Sequence, residues 1–330
     1  MKRRDFLRSA AVAALASTVR RPIHAAPASG GIPRRTLGRT GEKTSLVGLG
    51  GYHIGVASLS DEEASRIVRT ALDSGINFLD NCWDYNAGLS EVRMGKALRD
   101  GYRQKAFLMT KIDGRTVASA RQQLEQSLSR LQTDHLDLIQ IHEVIRMNDP
   151  ERVFAPGGTL EYLEQARKEG KVRFIGFTGH KSPEIHLHMI EVGRQHNYTF
   201  DTVQMPLNIM DAHFDSFAGK VVPVASKLNM GILGMKPIAN GMILGSNTVT
   251  AVECLQYAMN LPTTTVITGC DSMKILEQAM DTARNFRPLS SEALAGLLSR
   301  TQGVGVAGKF EAYKTSHMFD GTYQNPQWLG

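Results

Sequence analysis

Four side chains able to move a proton sit at or just beyond the ends of apolar runs. Asp80 and Tyr85 fall within FLDNCWDYN (78–86), Lys111 closes AFLMTK (106–111), and His142 closes LDLIQIH (136–142). Together they make chemical sense. A free phenol has a pKa of about 10, too high for ready proton exchange at neutrality. A nearby ammonium stabilises the phenolate and is expected to lower that value. A buried ammonium needs a carboxylate partner, which Asp80 can supply. A neutral imidazole can donate a hydrogen bond to a carbonyl and orient it. Such a set suits protonation of an alkoxide while a hydride arrives from a cofactor. Each residue alone has an ordinary reading, as a cap, a packing ring, a solvated cation or a core histidine. Their placement at successive run ends is what points to chemistry.

The elements that must position them are legible as an alternation of apolar runs and helical patterns. TSLVGLGG (44–51) precedes SDEEASRIVRTALDSG (60–75). There Ser60 and Glu63 form a capping box, and Ile67, Val68, Ala71 and Leu72 share one face. INFLD (76–80) precedes a helical pattern over 90–98, and AFLMTK (106–111) one over 115–131. LDLIQIH (136–142) precedes 158–169, VRFIGFTG (172–179) precedes 183–195, and DTVQMP (201–206) precedes 214–228. MGILGMKP (230–237) precedes 248–259, and TTVITGC (264–270) precedes 272–285. Helix 290–299 and an irregular tail complete the chain.

Eight such units, with short, continuously apolar strands, predict a (β/α)8 TIM barrel. A hairpin over RRTLGRTGEKTS (34–45) would close its bottom. A doubly wound sheet fits less well. GLGGYHIG (48–55) does not have the glycine spacing of a dinucleotide turn after a first strand. A barrel gathers its chemistry at the C-terminal ends of its strands, where Asp80, Lys111 and His142 fall.

Composition narrows the function. The net charge is +6, but residues 1–28 hold Lys2, Arg3, Arg4, Arg8, Arg20 and Arg21 against Asp5 alone. The remainder is nearly neutral and lacks the electrostatic footprint for nucleic acid. Cys82, Cys254 and Cys270 are far apart and predict neither disulfides nor a metal knuckle, so no metal is expected. His186 and His188, two apart on one helix, read as surface residues. The apolar stretch over 9–19 is too short to cross a bilayer.

FLDNCWDY, LMTK and LIQIH resemble the catalytic segments of the aldo-keto reductases, and the resemblance runs from RRTLGRTG to VITGCDSMKILEQAMD. It implies Tyr85 as general acid/base, Lys111 as its tuner, Asp80 as the partner of the lysine, and His142 as the group that positions the carbonyl. It also implies a cofactor groove. Gly50, Gly51 and Tyr52 would lie near the nicotinamide, and Thr178, Gly179 or His180 and Gln204 near its carboxamide. Met235 or Lys236 would lie beneath the ring, with Pro237 and Gly241 in the loop over the pyrophosphate. Gly269, Cys270, Asp271, Ser272, Lys274, Glu277 and Gln278 would border the adenosine phosphates. FTGH departs from the usual Ser-Asn pair after the fifth strand. The family default is NADP(H). Asp271 stands where many relatives carry Lys or Arg, would repel a 2′-phosphate, and makes NAD(H) the alternative, with Lys274 a partial offset.

The residues up to about 30 resemble a twin-arginine export leader, through Arg3-Arg4 and the small residues around Ala25–Ala28. The chain then divides into a leader, 1–30, and one barrel domain, 31–330. The expected location is periplasmic or exported, by way of the twin-arginine machinery, or cytoplasmic if the leader is not used. The expected partner is a small carbonyl substrate, without nucleic acid or stable membrane insertion. Three functions are open. The first is a nicotinamide-dependent reductase. The second is a nucleotide-binding partner subunit with little turnover. The third is a barrel aldolase using Lys111 as a Schiff-base nucleophile. Phe310, Tyr313, Phe319, Tyr323 and Trp328 in the tail either line a substrate pocket or pack the tail onto the barrel.

Overall fold

A computed structural model of the chain describes residues 31–330, and the leader expected over 1–30 lies outside them. The hairpin is present. β1 (Arg34–Thr36) pairs antiparallel with β2 (Lys43–Ser45). Eight parallel strands follow: β3 (Val47–Gly50), β4 (Phe78–Asp80), β5 (Phe107–Ile112), β6 (Leu136–Ile141), β7 (Val172–Thr178), β8 (Thr202–Pro206), β9 (Gly231–Met235) and β10 (Thr265–Gly269). They close in chain order, with β10 back on β3 from Val266↔Val47 to Gly269↔Gly50. The (β/α)8 expectation therefore holds.

The helices form where the apolar spacing places them. In helix Asp61–Asp73 the Ser60 hydroxyl accepts from the Glu63 N–H, and Ile67, Val68, Ala71 and Leu72 are buried against the barrel. Helix Val117–Leu131 opens on a reciprocal Thr116–Ser119 capping box and buries Leu124, Leu128 and Leu131. Inside the barrel, Phe78 stacks on Phe107 at 5.4 Å and Phe107 on Phe174 at 6.4 Å. Leu37, from the hairpin loop, joins this interior cluster with none of its surface exposed. It plugs the barrel floor, as the hairpin reading required.

Several boundaries differ from the sequence reading. The run 44–51 divides at Leu46, its first residues pairing in the hairpin and its last in the barrel. A short helix, Asp149–Phe154, follows β6, and the last long helix extends over Ser291–Gly305. No helix among the described residues is long and apolar enough to cross a membrane.

The tail crosses the face of the barrel at which the strands end. The Glu143 carboxylate accepts from the N–H groups of Gly321 and Thr322 at 2.8 and 2.6 Å. The Arg115 N–H donates to Leu329 O at 2.8 Å, and Gln123 Nε2 donates to Trp328 O at 2.9 Å. Trp328 meets Trp83 edge-on at 5.5 Å, and Tyr313 is fully buried. These two aromatics pack the tail onto the barrel. Tyr323 stacks on His317 within the tail itself.

Candidate active site

Asp80 is the last residue of β4, Lys111 lies one residue from the end of β5, and His142 immediately follows β6. Three adjacent strand ends thus converge. Lys111 Nζ donates to Asp80 Oδ1 at 2.7 Å, to Asn81 O at 2.7 Å and to the Tyr85 hydroxyl at 3.2 Å. The ammonium and Asp80 are both buried, and Lys111 has no exposed surface. Tyr85 opens a 3-10 turn, Tyr85–Gly88, whose Asn86 and Ala87 adopt positive φ. The turn is held because Asn86 Nδ2 donates to Tyr52 O at 2.8 Å and to Ser90 Oγ at 2.9 Å. Tyr52 then packs edge-on against Tyr85 at 5.5 Å, and the His142 ring lies 6.0 Å from it on another side. Asp80, Tyr85, Lys111 and His142 therefore meet at one mouth of the barrel.

Two electrostatic expectations change. Burial, and after it the Asp80 carboxylate, hold the Tyr85 phenol well above its usual range instead of below it. The reason is geometric. Burial disfavours the phenolate first, and Asp80, bonded to the same ammonium, adds its negative charge against it. His142 was expected to be simply neutral. Burial does push it down, but the carboxylates of Asp113, Asp84 and Glu143 outweigh burial, and the ring holds its second proton more tightly than a free imidazole. Asp113 Oδ1 lies 2.9 Å from His142 Nδ1. Asp84 is pushed up to about 6, by burial first and then by the Asp113 carboxylate.

The cofactor positions are distributed unevenly. Gln204 is buried beside Asp80, and its Nε2 donates to Asp80 Oδ2 at 2.8 Å. Its Oε1 has no partner. A buried acceptor left free is costly, and it fits an amide N–H such as that of a nicotinamide carboxamide. Gly51 is required by the packing of the strand ends, since a Cβ there would fall 2.5 Å from Asp80 O. Gly50 is buried, whereas Tyr52 is half exposed. Thr178 Oγ1 faces Met235 Sδ at 4.0 Å, and a Cβ on Gly179 would fall 2.2 Å from Val144 O. His180 is taken by the tail: its Nε2 lies 2.9 Å from Asp320 Oδ1. Lys236 has φ +54 and sets its ammonium 5.6 Å from both the Tyr313 and Phe319 rings, beside buried Pro237. Gly241, at φ +83, faces open space.

At the end of β10, Gly269 lies under His53, and a Cβ there would fall 1.9 Å from His53 Nδ1. His53 Nε2 and Asn240 Oδ1 approach to 3.2 Å. The Cys270 side chain packs into the core. Asp271, Lys274, Glu277 and Gln278 are exposed, and the Ser272 hydroxyl caps helix Met273–Arg284 on the Ile275 N–H.

Some residues of the site were not visible in the sequence. Asp113 and Asp84 flank His142, and Glu143 ties the tail beside it. A carboxylate two residues after Lys111 was the only available signal for Asp113. His186, expected at the surface, is fully buried. It packs against Phe177 and Phe217 and lies 3.3 Å from the carbonyl of Gln204, because its helix face meets the barrel wall. His188, on the other face, is partly exposed beside Glu151.

Comparisons with known proteins bear on this mouth. The sequence profile of the aldo/keto reductase family matches residues 46–253. YrpG of Bacillus subtilis, described as an uncharacterised oxidoreductase, is 30% identical over 229 residues, covering 63% of this chain and 67% of its own. L-Galactose dehydrogenase of Arabidopsis thaliana is 29% identical over 226 residues, 64% of this chain and 67% of its own. The fold is similar to the holo form of the aldo-keto reductase AKR11C1 from Bacillus halodurans. That match has a TM-score of 0.67 at 23% identity, over 81% of this chain and 95% of the other.

Proposed function

The chain belongs to the aldo/keto reductase family of oxidoreductases, and from that premise we propose that it transfers a hydride between NAD(P)H and an aldehyde or ketone, with Tyr85 as proton donor. The observation that carries this reading is the position of Lys111 Nζ, within 2.7 Å of Asp80 and 3.2 Å of the Tyr85 hydroxyl. When bound, the nicotinamide supplies the hydride.

The residues of the chain do the rest. Tyr85 keeps its proton at neutrality and gives it to the oxygen of the reduced carbonyl. Lys111 donates to the tyrosine oxygen as that oxygen becomes negative, a contact worth more in a buried site than in water. Asp80 holds the ammonium in place. His142, held at Nδ1, orients the carbonyl. Gln204 would hold the carboxamide through its free Oε1. The loop around Gly241 and the β10 end around Ser272 would hold the phosphates. NADP(H) is the expected form, against the repulsion of exposed Asp271. The leader read over residues 1–30 adds the proposal of export, tested by fusing those residues to a reporter.

Tyr85→Phe removes one hydroxyl and keeps the ring. Steady-state reduction of a panel of aldehydes and ketones is expected to fall by at least about a thousandfold, the scale of a lost acid/base group plus its contacts. Cofactor binding, read by difference spectroscopy with NADPH and NADH, is expected to stay close to normal. Undiminished turnover in Tyr85→Phe sinks the reading. A wild-type chain that binds nucleotide yet reduces no carbonyl would favour the nucleotide-holding alternative.

A further inference from the structure

Beside the Tyr85–Lys111–Asp80 set lies a second group of reactive side chains. Cys82 and Asp84 follow β4, Asp113 follows β5 and His142 follows β6. One donor atom from each, a sulfur, two carboxylate oxygens and an imidazole nitrogen, lies within 4.8 Å of every other. His142 Nδ1 is the shared neighbour, 2.9 Å from Asp113 Oδ1, 3.3 Å from Cys82 Sγ and 3.8 Å from Asp84 Oδ1.

The bonding of this group is incomplete. Asp113 has no exposed surface, and its Oδ2 has no partner. Asp84 Oδ1 also has none. Buried carboxylate oxygens without donors are costly. Nearby cations do not relieve them. Lys111 is committed to Asp80, Asn81 and Tyr85. Arg115 is committed to Asp149 and to the carbonyls of Asp113, His142 and Glu143. Two carboxylates are left to share one imidazole.

We propose that Cys82, Asp84, Asp113 and His142 form a binding site for a zinc-like divalent cation. Sulfur, nitrogen and two oxygens are a set that Zn2+ accepts and that Mg2+ and Ca2+, which prefer oxygen alone, do not. The spacing also fits. Ligand bonds of about 2.0–2.1 Å in a tetrahedron put the donors about 3.4 Å apart. The three distances to His142 Nδ1 bracket that value.

The scaffold is fixed independently of any ion. The N–H groups of Asp113 and Gly114 donate to Gln123 Oε1, both at 2.8 Å, and the His142 N–H donates to Ile112 O at 2.8 Å. An entry path exists at the mouth, where 14% of the Asp84 side chain and 11% of that of His142 remain exposed. The ion would displace the Cys82 thiol proton and the proton on His142 Nδ1 into solvent, and would leave His142 protonated at Nε2. The site stands on these donors alone and does not depend on the reductase reading.

The test uses tag-free, full-length protein stripped of metal and titrated with Co2+, a coloured stand-in for Zn2+. One Co2+ per chain is expected, with visible bands of tetrahedral intensity and a thiolate-to-cobalt charge-transfer band. Zn2+ should displace it. Cys82→Ser should lose the charge-transfer band, and Asp113→Asn should weaken binding by at least tenfold. Circular dichroism confirms that each variant is folded. The absence of stoichiometric Co2+ binding by folded wild-type protein overturns the proposal, and so does a charge-transfer band that survives in folded Cys82→Ser. Co2+ bound in octahedral form, without a sulfur band, equally overturns it.

Discussion

Lys111 is the residue on which the mouth depends, because its ammonium is buried and serves three acceptors at once. Asp80 is its only charged partner among the described residues. Asp80→Asn would keep the shape and remove the countercharge. Breaking a buried pair in this way costs on the order of 3–5 kcal/mol. A urea midpoint in Asp80→Asn equal to that of wild type would show that the pair does not hold the fold. The residues of this pair were legible because each closes an apolar run. Their electrostatics were not. Whether Lys111 lowers the tyrosine depends on how closely Asp80 competes for the same ammonium, and no spacing in the sequence reports that. Asp113 was hidden for a related reason. It stands 29 residues before His142, and only the pairing of β5 with β6 makes the two neighbours.

At the scale of elements, helix Pro183–Gln195 carries a titratable group on its inner face. Burial holds His186 down to about 4. Above pH of about 6.5 the ring is neutral whether the chain is folded or not. As pH falls from there towards 4, the unfolded chain takes a proton that the folded chain refuses, so stability declines. The full loss is on the order of 3 kcal/mol. Urea midpoints at pH 7 and pH 5 in wild type and in His186→Gln check this, and the variant should show the smaller difference. The sequence spacing put residues 183–195 on a helix but did not reveal which face meets the barrel, and so misjudged His186. Helix Asp149–Phe154 was missed for another reason. It is six residues long, has no side-chain cap, and is too short to show a period. The eight strands were legible because parallel strands covered on both sides read as unbroken apolar runs.

At the scale of the whole molecule, the hairpin and the tail finish what the eight units begin. Leu37 fills the floor among Phe78, Phe107, Met109, Leu138, Leu233 and Ile267. Gly38 beside it, at φ +49, sits where a Cβ would fall 2.3 Å from Gly231 N. Leu37→Ala would open a cavity and cost about 2–5 kcal/mol. Unchanged thermal unfolding in Leu37→Ala would mean that the floor closes by other means. The hairpin was visible from its Thr-Gly turn, and its plugging leucine only from the closed barrel.

Asp80 divides its two oxygens between Lys111 on the adjoining strand and Gln204 on the far wall, four strands away round the ring. The carboxylate is thereby a gauge of closure. In a chain whose circle is incomplete at β8, the oxygen that faces Gln204 loses its donor. One side chain thus registers whether opposite walls of the cylinder have met.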